Sequence, residues 1–447
     1  GKPYRLKANE GISFQGSNVL GLGFTMAPEE ARALISKDPR NRDVLFPYLI
    51  GKDLNSRPDQ SSSRWIINFR NWPLDRESAP PHYDGHVAAD YPDCLAIVRE
   101  KVKPQRDRLG LKKDASARGY AKRWWQHGRQ AKELYAAIDG MERVLVTARV
   151  SRTSAFARVP CGWVYDAQVV AFVLCDVASF GVLQCCIHTC WAQKHASSMR
   201  TDLRYTPSDV FETFPMPAGL ESVRDAAQAF EDQRSRLCRS TGKGLTKIVN
   251  QVNDVRVSEA PVVVLRDLLC TLNESVREAY GWDDLELDHG FHKTDQGVRF
   301  TVGPKARREI LDRLLALNHQ RYAVEVAAGL HKPKGRSGKK VKKTRKTRKK
   351  ALKAATKTLF DLDPGPPRKN GHEPTVKLLE ALRQATQPLG KSELVEAAGI
   401  EPKQWSAAIN KLKADGQVEQ IGERRGAICS TWPSAFSLLI AGRSEKG

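Results

Sequence analysis

The chain has 447 residues, 40% of them hydrophobic, which excludes a wholly disordered protein and allows two or three domains with sizeable cores. Its formal net charge is +22, but 14 Lys and Arg residues and no acidic residue fall within residues 332–357, so the rest of the chain carries +8. A basic balance of this kind suits a polyanionic partner such as DNA, RNA or an anionic membrane face.

The cysteines and the apolar segments indicate the compartment. Nine cysteines are scattered without a paired CxxC framework, which fits reduced thiols in a cytosol. The longest apolar window, residues 167–187, contains Asp176 near its centre, and an aspartate there costs about 2.5–3.5 kcal/mol in a bilayer. We therefore predict a soluble, cytoplasmic, nucleoid-associated protein with no membrane partner. The first residues, GKPYRLKANEG, lack the apolar segment of a secretory signal. The chain starts with Gly instead of Met, inside what resembles a continuing domain, so we expect a fragment or a natural split product of a longer polypeptide.

Two strands and a polar loop are predicted near the N-terminus. Residues 44–50 and 65–69 are rich in β-branched and aromatic residues between Gly, Asn, Asp, Ser and Pro clusters, which predicts strands. Between them GKDLNSRPDQSSSR, residues 51–64, is predicted to be a loop that carries Arg57 and Arg64. Such a loop on a rigid sheet can contact base edges, because Arg pairs with guanine and Asn and Gln with adenine; an ordinary polar surface loop is the alternative.

Three helices are predicted in the same half of the chain. Residues 25–37 and 92–109 each have a proline near the start and an apolar stripe, and residues 118–138 continue as helix. Trp124 and Trp125 stand among basic residues of the last helix. Base stacking is one interpretation of this pattern, and two tryptophans packed into a helix–sheet core is the one we favour.

Two more strands, residues 144–150 and 163–174, indicate a mixed sheet and therefore an α+β fold. Arg149 and Arg152 lie at the end of the first of them, where an arginine is either a phosphate or guanine contact or a plain surface charge. The segment TFPMP predicts a domain boundary at residue 217.

Residues 218–331 are predicted to be a helical region. Helices are expected over 221–240 and 258–279 with a polar segment between them, followed by a short strand at 298–302 and a long helix at 304–330.

The last part of the chain is predicted to be a Lys/Arg-rich disordered linker, residues 332–372, and a winged helix–turn–helix domain, residues 373–447. The linker repels itself and buries nothing, so it is a sequence-independent DNA binder or a passive tether. The domain has a recognition helix over 402–414 and hairpin strands at 417–421 and 427–431, and winged helices of this kind bind either DNA or protein. Its predicted DNA contacts are Lys403, Gln404, Asn410, Lys411, Arg424 and Arg425.

Tests for catalytic motifs are negative. Neither Pro-Pro pair, residues 80–81 and 366–367, has the [NDS]-P-P-[YF] form that holds a flipped adenine, and VLGLGF lacks the βαβ context of a cofactor-binding glycine loop. CCIHTCWAQKH, residues 185–195, has helical Cys and His spacings that suit zinc, but its apolar surroundings favour buried structural cysteines. We therefore assign no catalytic residue and no metal ligand.

Several blocks resemble a known family. The stretch from GISFQGSNVLGLGF to SRWIINFRNWPL, residues 11–74, is similar to the target-recognition domain of the MmeI-like (type IIL) restriction–modification enzymes and related adenine-specific DNA methyltransferases. LRYTPSDVFETFPMP, residues 203–217, is the most specific block, and YGWDDLELDHGFH, residues 280–292, resembles the helical C-terminal region of such proteins. The resemblance covers roughly residues 10–330.

The resemblance implies a target-recognition domain over residues 1–217, braced by 218–331, in an enzyme of a restriction–modification or phage-defence system. It also implies double-stranded DNA as partner, and a separate catalytic domain or subunit that transfers a methyl group from S-adenosylmethionine to adenine N6. A nuclease or helicase of the same system is a further expected partner. This chain, which has no cofactor motif of its own, should be inactive alone.

Base contacts are expected from polar loops beside the predicted strands. The residues are Gln15, Arg40, Asn41, Asn55, Arg57, Arg64, Arg149 and Arg152. The alternative function is a non-enzymatic DNA-binding or adaptor protein that acts through the winged helix and the basic tail.

Overall fold

The computed structural model of the chain describes residues 1–112, 114–199, 202–331, 381, 391–400, 418–421 and 427–430. Residues 1–363 form one unit and residues 364–447 a second. The helices are α1 Pro28–Lys37, α2 Gly51–Ser56, α3 Pro92–Lys101, α4 Lys103–Gly110, α5 Ala115–Lys122, α6 Lys132–Ala137, α7 Val177–Gln184, α8 Cys186–His195, α9 Glu221–Thr241, α10 Leu245–Val252, α11 Ala260–Ala279, α12 Pro304–Ala327 and α13 Lys391–Ala397. The strands are β1 Ser13–Gln15, β2 Thr25–Met26, β3 Leu45–Leu49, β4 Arg64–Ile67, β5 Arg143–Ala148, β6 Val150–Ser151, β7 Phe156–Pro160, β8 Val164–Tyr165, β9 Val169–Phe172, β10 Ser197–Met199, β11 Asp202–Arg204, β12 Gly290–Thr294, β13 Gly297–Thr301, β14 Val418–Ile421 and β15 Ala427–Ser430.

Two four-stranded sheets organise the first unit. The first has the order β1-β9-β5-β7 and is antiparallel throughout. The second has the order β2-β4-β3-β8 and is mixed, because β3 pairs in parallel with β8 and antiparallel with β4. A smaller sheet has the order β10-β11-β6, and in it β11 pairs antiparallel with β6, the strand that directly follows β5. The predicted α+β class with a mixed sheet is therefore confirmed.

Each large sheet has its own hydrophobic core. The larger core surrounds β5 and β9, whose inner residues are fully buried, and it extends over α7 to α12. The smaller core lies between β3, β4 and α3 and includes Phe24 and Trp124. Trp124 is therefore a core residue, which is the interpretation that the sequence favoured.

Helix ends follow local chemistry. α1 begins at Pro28, and the Glu30 carboxylate accepts a hydrogen bond from the backbone N–H of Ala27 at 2.9 Å. α9 ends where Gly242 takes a left-handed conformation, φ 65°. Helices predicted over 221–240, 258–279 and 304–330 are confirmed as α9, α11 and α12.

No helix in the described ranges has the length and apolar character needed to cross a bilayer.

The helix predicted over residues 118–138 is wrong in its middle part. α5 ends at Lys122, and residues 123–131 turn across the smaller core before α6. Arg129 and Asn18 exchange both backbone hydrogen bonds at 2.9 Å, as paired strand residues do, so these backbone groups are withdrawn from any helix. Ala131 then takes a left-handed conformation, φ 46°.

Two other predictions are corrected by tertiary pairing. The strand predicted over 163–174 is two strands, since β8 pairs with β3 and β9 with β1 and β5, and a turn at Asp166 lies between them. The loop predicted over 51–64 begins as helix α2, which ends at Ser56. The backbone of Ser56 lies against Gly244, and a Cβ added to Gly244 would be 2.3 Å from the carbonyl carbon of Ser56. The predicted loop therefore packs against α10. This helix lies in the segment that was predicted to be a polar connection between the helices over 221–240 and 258–279.

The second unit is described only in part. β14 and β15 form an antiparallel hairpin where strands were predicted, and α13 precedes Gly399, φ 56°. The predicted linker, the recognition helix and the side chains of Lys403, Gln404, Asn410, Lys411, Arg424 and Arg425 lie outside the described residues.

Candidate nucleic-acid interface

Three strand ends meet at one edge of the first sheet. Gln15, the last residue of β1, lies opposite Val170 of β9, and Ala148, the last residue of β5, lies opposite Val169. The ends of β1 and β5 therefore flank the start of β9 and the turn that precedes it. The backbone N–H of Arg149 donates to the carbonyl of Gln168 in that turn at 2.7 Å, which fixes Arg149 at this edge.

Three arginines converge there from distant parts of the chain. Arg149 follows β5, Arg204 pairs with Val150 at the end of β11, and Arg129 donates from Nη2 to the carbonyl of Gly16 at 2.8 Å. Burial lowers the pKa of Arg149, and the positive charges of Arg204 and Arg129 lower it further. Among the described residues, no carboxylate lies within 4.0 Å of any of the three guanidinium groups. The edge therefore brings three positive charges together without an ion pair to any described residue.

Polar side chains surround these arginines. Gln15 donates from Nε2 to the carbonyl of Ala167 at 2.7 Å, and its Oε1 accepts no hydrogen bond from the described residues. Asn18 and Gln168 are exposed on either side. We call this set the arginine edge, and its members are Gln15, Asn18, Arg129, Arg149, Gln168 and Arg204.

The second sheet joins the arginine edge through Asp166. The hydroxyl of Tyr48 in β3 donates to Asp166 Oδ2, and the backbone N–H of Asp166 donates to the carbonyl of Leu49. Burial and the charge of Asp166 raise the pKa of Tyr48 well above its ordinary value, so this hydroxyl stays a donor. Arg64 lies opposite Tyr48 in the β3–β4 pair and is half-buried. Of the eight residues predicted in this unit, Gln15 and Arg149 thus belong to the arginine edge, and Arg64 lies beside Tyr48 on the second sheet.

Arg40 and Asn41 lie elsewhere, beside α1 and α3. Arg40 is exposed and holds Asp38, with Nη2 at 2.7 Å from Oδ2. Asn41 is 1% exposed; its Nδ2 donates to the carbonyl of Leu34 at 2.9 Å, and its Oδ1 accepts from the thiol of Cys94. Both ends of the Asn41 amide are thus occupied in tying α1 to α3, and a base contact by Asn41 stays a prediction.

Asn55 and Arg57 belong to the segment under α10. Oδ1 of Asn55 is buried, and Arg57 donates from Nε to the hydroxyl of Ser61 at 2.8 Å, with Asp59 at 3.7 Å. Arg152 lies beyond Arg149 on the next loop, 3.4 Å from Asp202. These three residues are outside the arginine edge.

The Cys/His helix is a core element. Cys185, Cys186 and Cys190 are buried, and burial raises the pKa of each thiol. His188 is fully buried, with Nδ1 2.8 Å from the carbonyl of Leu183 and Nε2 3.1 Å from the hydroxyl of Tyr205. Within the described ranges, no three His, Cys, Asp or Glu side chains are grouped so as to hold a metal ion.

Sequence reasoning missed four of the six residues of the arginine edge. Arg129 was placed in a helix, Arg204 was noticed only as part of a resemblance block, and Asn18 and Gln168 received no role. Their common signal is position beside a strand end, which becomes visible only when the strand partners are known. The completed edge can form two kinds of contact: guanidinium groups bind phosphate oxygens or guanine O6 and N7, and amides bind adenine N6 and N7.

Comparisons with known proteins give one family match and one similar solved structure. Residues 12–218 match the family described as MmeI, target recognition domain. No curated protein matches the chain. A solved structure of the type IIL restriction–modification enzyme MmeI in complex with DNA is similar in fold, with a TM-score of 0.50 and 15% sequence identity. The similarity covers 70% of this chain but only 36% of that enzyme.

Proposed function

Residues 12–218 are a target recognition domain of the MmeI family, and from this premise we propose that the chain recognises a short sequence in double-stranded DNA through the arginine edge. The observation that carries the proposal is the cluster of Arg129, Arg149 and Arg204, which is unpaired within the described residues and sits on a braced sheet edge. Mutual repulsion disfavours this cluster in the free protein, and a DNA phosphate or a guanine relieves it.

The three arginines have different tasks in this proposal. Arg149 is half-buried, flanked by two cations and held by backbone bonds on both sides, since the carbonyl of Arg149 also accepts from the N–H of Tyr205 at 2.7 Å. A backbone held on both sides fixes the point from which the Arg149 side chain extends, which suits a base contact with defined geometry. Arg129 and Arg204 are exposed and suit phosphate contacts that set the register of the duplex.

Adenine is within the chemistry of the same edge. Oε1 of Gln15 can accept from the N6 amino group of adenine, while Nε2 remains bonded to the carbonyl of Ala167. The bond to the Ala167 carbonyl already holds the Gln15 side chain, so that binding of adenine costs little additional side-chain entropy. Gln168 extends the same possibility from the neighbouring turn.

Selection from a random pool tests the proposal without knowledge of the target. Duplexes with a randomised centre are retained on the full chain, eluted and sequenced over several rounds. We expect a short motif to be enriched by the wild type and lost by the double variant Arg149→Gln, Arg204→Gln. Arg40→Gln is the matched control, because it removes an exposed arginine outside the edge. Enrichment that the double variant retains, or an unchanged pool with the wild type, contradicts the proposal.

The methylation chemistry is a further part of the proposal. The family resemblance suggests that the recognised site is methylated at adenine N6 from S-adenosylmethionine, in a restriction–modification or phage-defence system in the cytoplasm. The residues of this chain would position the duplex, and a catalytic domain or subunit acting with it would carry out the transfer. The chain alone should therefore leave the selected duplex unmodified, as tested with tritiated S-adenosylmethionine. Tritium incorporation by the purified chain alone would contradict this division of labour.

A further inference from the structure

A small, partly open cavity of about 100 Å³ lies between the loop after β6 and α8 to α11, and the β12–β13 hairpin forms one of its walls. Four arginines line it: Arg152, Arg234, Arg299 and Arg307. Among the described lining residues there is no carboxylate, and the other polar groups are hydroxyls and amides such as Thr153. A larger cleft of about 370 Å³ lies on the other side of Arg234, and its lining includes acidic residues. The two linings therefore differ, because the smaller cavity has arginines without carboxylates.

Arg234 is the buried cation of this cavity. The residue is 3% exposed, and its one hydrogen bond to a described residue runs from Nη1 to Oε1 of Gln184 at 2.9 Å. The rings of Phe180 and Phe230 lie 4.9 and 5.6 Å from its guanidinium carbon. The neighbouring carboxylate of Glu231 is held by Arg158 through both oxygens. Burial lowers the pKa of Arg234, the charge of Glu231 offsets this in part, and an anion in the cavity would stabilise the guanidinium further.

The other arginines converge on the same space from three elements. Arg299 comes from β13, and both burial and the positive charge of Arg152 lower its pKa. Arg307 comes from the first turns of α12 and lies beside the buried thiols of Cys186 and Cys190. No carboxylate of the described residues is within 4.0 Å of Arg299 or Arg307.

We propose that this cavity binds a phosphate group. Several donors from different directions match a tetrahedral anion with more than one charge, and guanidinium groups form paired hydrogen bonds with its oxygens. The volume is several times the roughly 10–15 Å³ that one ordered water needs, so a phosphate fits but an entire nucleotide does not. Two sources share this chemistry: a nucleoside monophosphate or a phosphate of the DNA backbone.

Calorimetric titration of inorganic phosphate into the full chain, at constant ionic strength with chloride, tests the cavity directly. We expect one saturable site per chain, weakened at least tenfold in Arg299→Gln and in Arg307→Gln. Arg308→Gln is the matched control, since it removes an exposed charge from the adjacent position of α12. Arg299 lies on a partly exposed hairpin, so its variant keeps the test valid should Arg307→Gln fold poorly. Absence of a saturable site, or equal weakening in Arg308→Gln, overturns the proposal.

Competition then separates the two sources. A free nucleotide is the source when adenosine monophosphate binds more tightly than phosphate and a duplex does not displace it. The DNA backbone is the source when a duplex displaces phosphate and Arg299→Gln weakens selected and scrambled duplexes equally. If neither displaces phosphate, the site holds an adventitious ion only and the proposal fails. Phosphate binding is measured without DNA, so its failure is distinguishable from failure of sequence recognition at the arginine edge.

Discussion

Replacement of Arg149 by glutamine removes the central cation of the arginine edge and leaves its backbone bonds intact. Burial and two neighbouring cations already lower the pKa of Arg149, so its charge stabilises nothing in the free protein. We therefore expect the free energy of unfolding to change by no more than about 0.5 kcal/mol. A paired contact with guanine is worth about 1–3 kcal/mol, so affinity for the selected duplex should fall roughly 5- to 150-fold.

Fluorescence anisotropy at several salt concentrations distinguishes a base contact from a phosphate contact. A base contact predicts that selected and scrambled duplexes become more alike, with little change in the salt slope. A phosphate contact predicts an equal loss on both duplexes and a log–log salt slope smaller by about 0.9. Arg129→Gln and Arg204→Gln should follow the second pattern, and Arg40→Gln should follow neither. Wild-type affinity and slope in Arg149→Gln would refute the assignment of the edge to DNA.

Three further predictions concern geometry, pH and the C-terminal part. Gly16→Ala should lower both duplex selectivity and stability, the latter by about 1–3 kcal/mol, because its Cβ would lie 2.3 Å from the carbonyl oxygen of Asp166; Gly119→Ala, whose Cβ meets only ordinary contacts, is the control for urea unfolding and binding. Acid should weaken the fold through His188, since burial lowers its pKa from 6.5 to about 3. The unfolded chain therefore takes up this proton below pH 6.5 while the folded chain does not, and stability that is complete above pH 6.5 falls by about 1.4 kcal/mol per pH unit on acidification. His188→Gln should show a shallower loss between pH 7 and 5, and an unchanged slope would contradict this cause. Deletion of residues 332–447 should reduce affinity for all duplexes and flatten the salt dependence, because it removes the 14 Lys and Arg of residues 332–357 that would release counterions. Sequence preference should survive the deletion; its loss would favour an adaptor that acts through the basic tail and a winged helix.

Much of the fold could be predicted from local patterns. The strands at Leu45–Leu49 and Arg64–Ile67 and the long helices α9 and α11 lie where apolar periodicity and flanking Gly and Pro residues indicated. The failures occur where tertiary pairing overrides the local pattern. Residues 123–131 have helical composition, but the backbone of Arg129 pairs with Asn18 instead.

The candidate site shows the same division. Gln15, Arg64 and Arg149 were predicted because polar residues beside strand ends are accessible in most sheets. Asn41 meets the same criterion, yet its amide is buried between α1 and α3. Nothing in the sequence distinguishes these two outcomes, since both depend on which distant element covers the loop.

The sequence by itself determined the resemblance of residues 12–218 to one family, the α+β class and the basic character of the chain, because short motifs, apolar periodicity and charge are properties of neighbouring residues. Only the tertiary structure decided which cations act together. Arg129 contacts Gly16 across 113 positions of sequence, and Arg149 meets Arg204 through the pairing of β6 with β11. Strand register sets these distances, and a slip of one residue would turn each side chain to the opposite face.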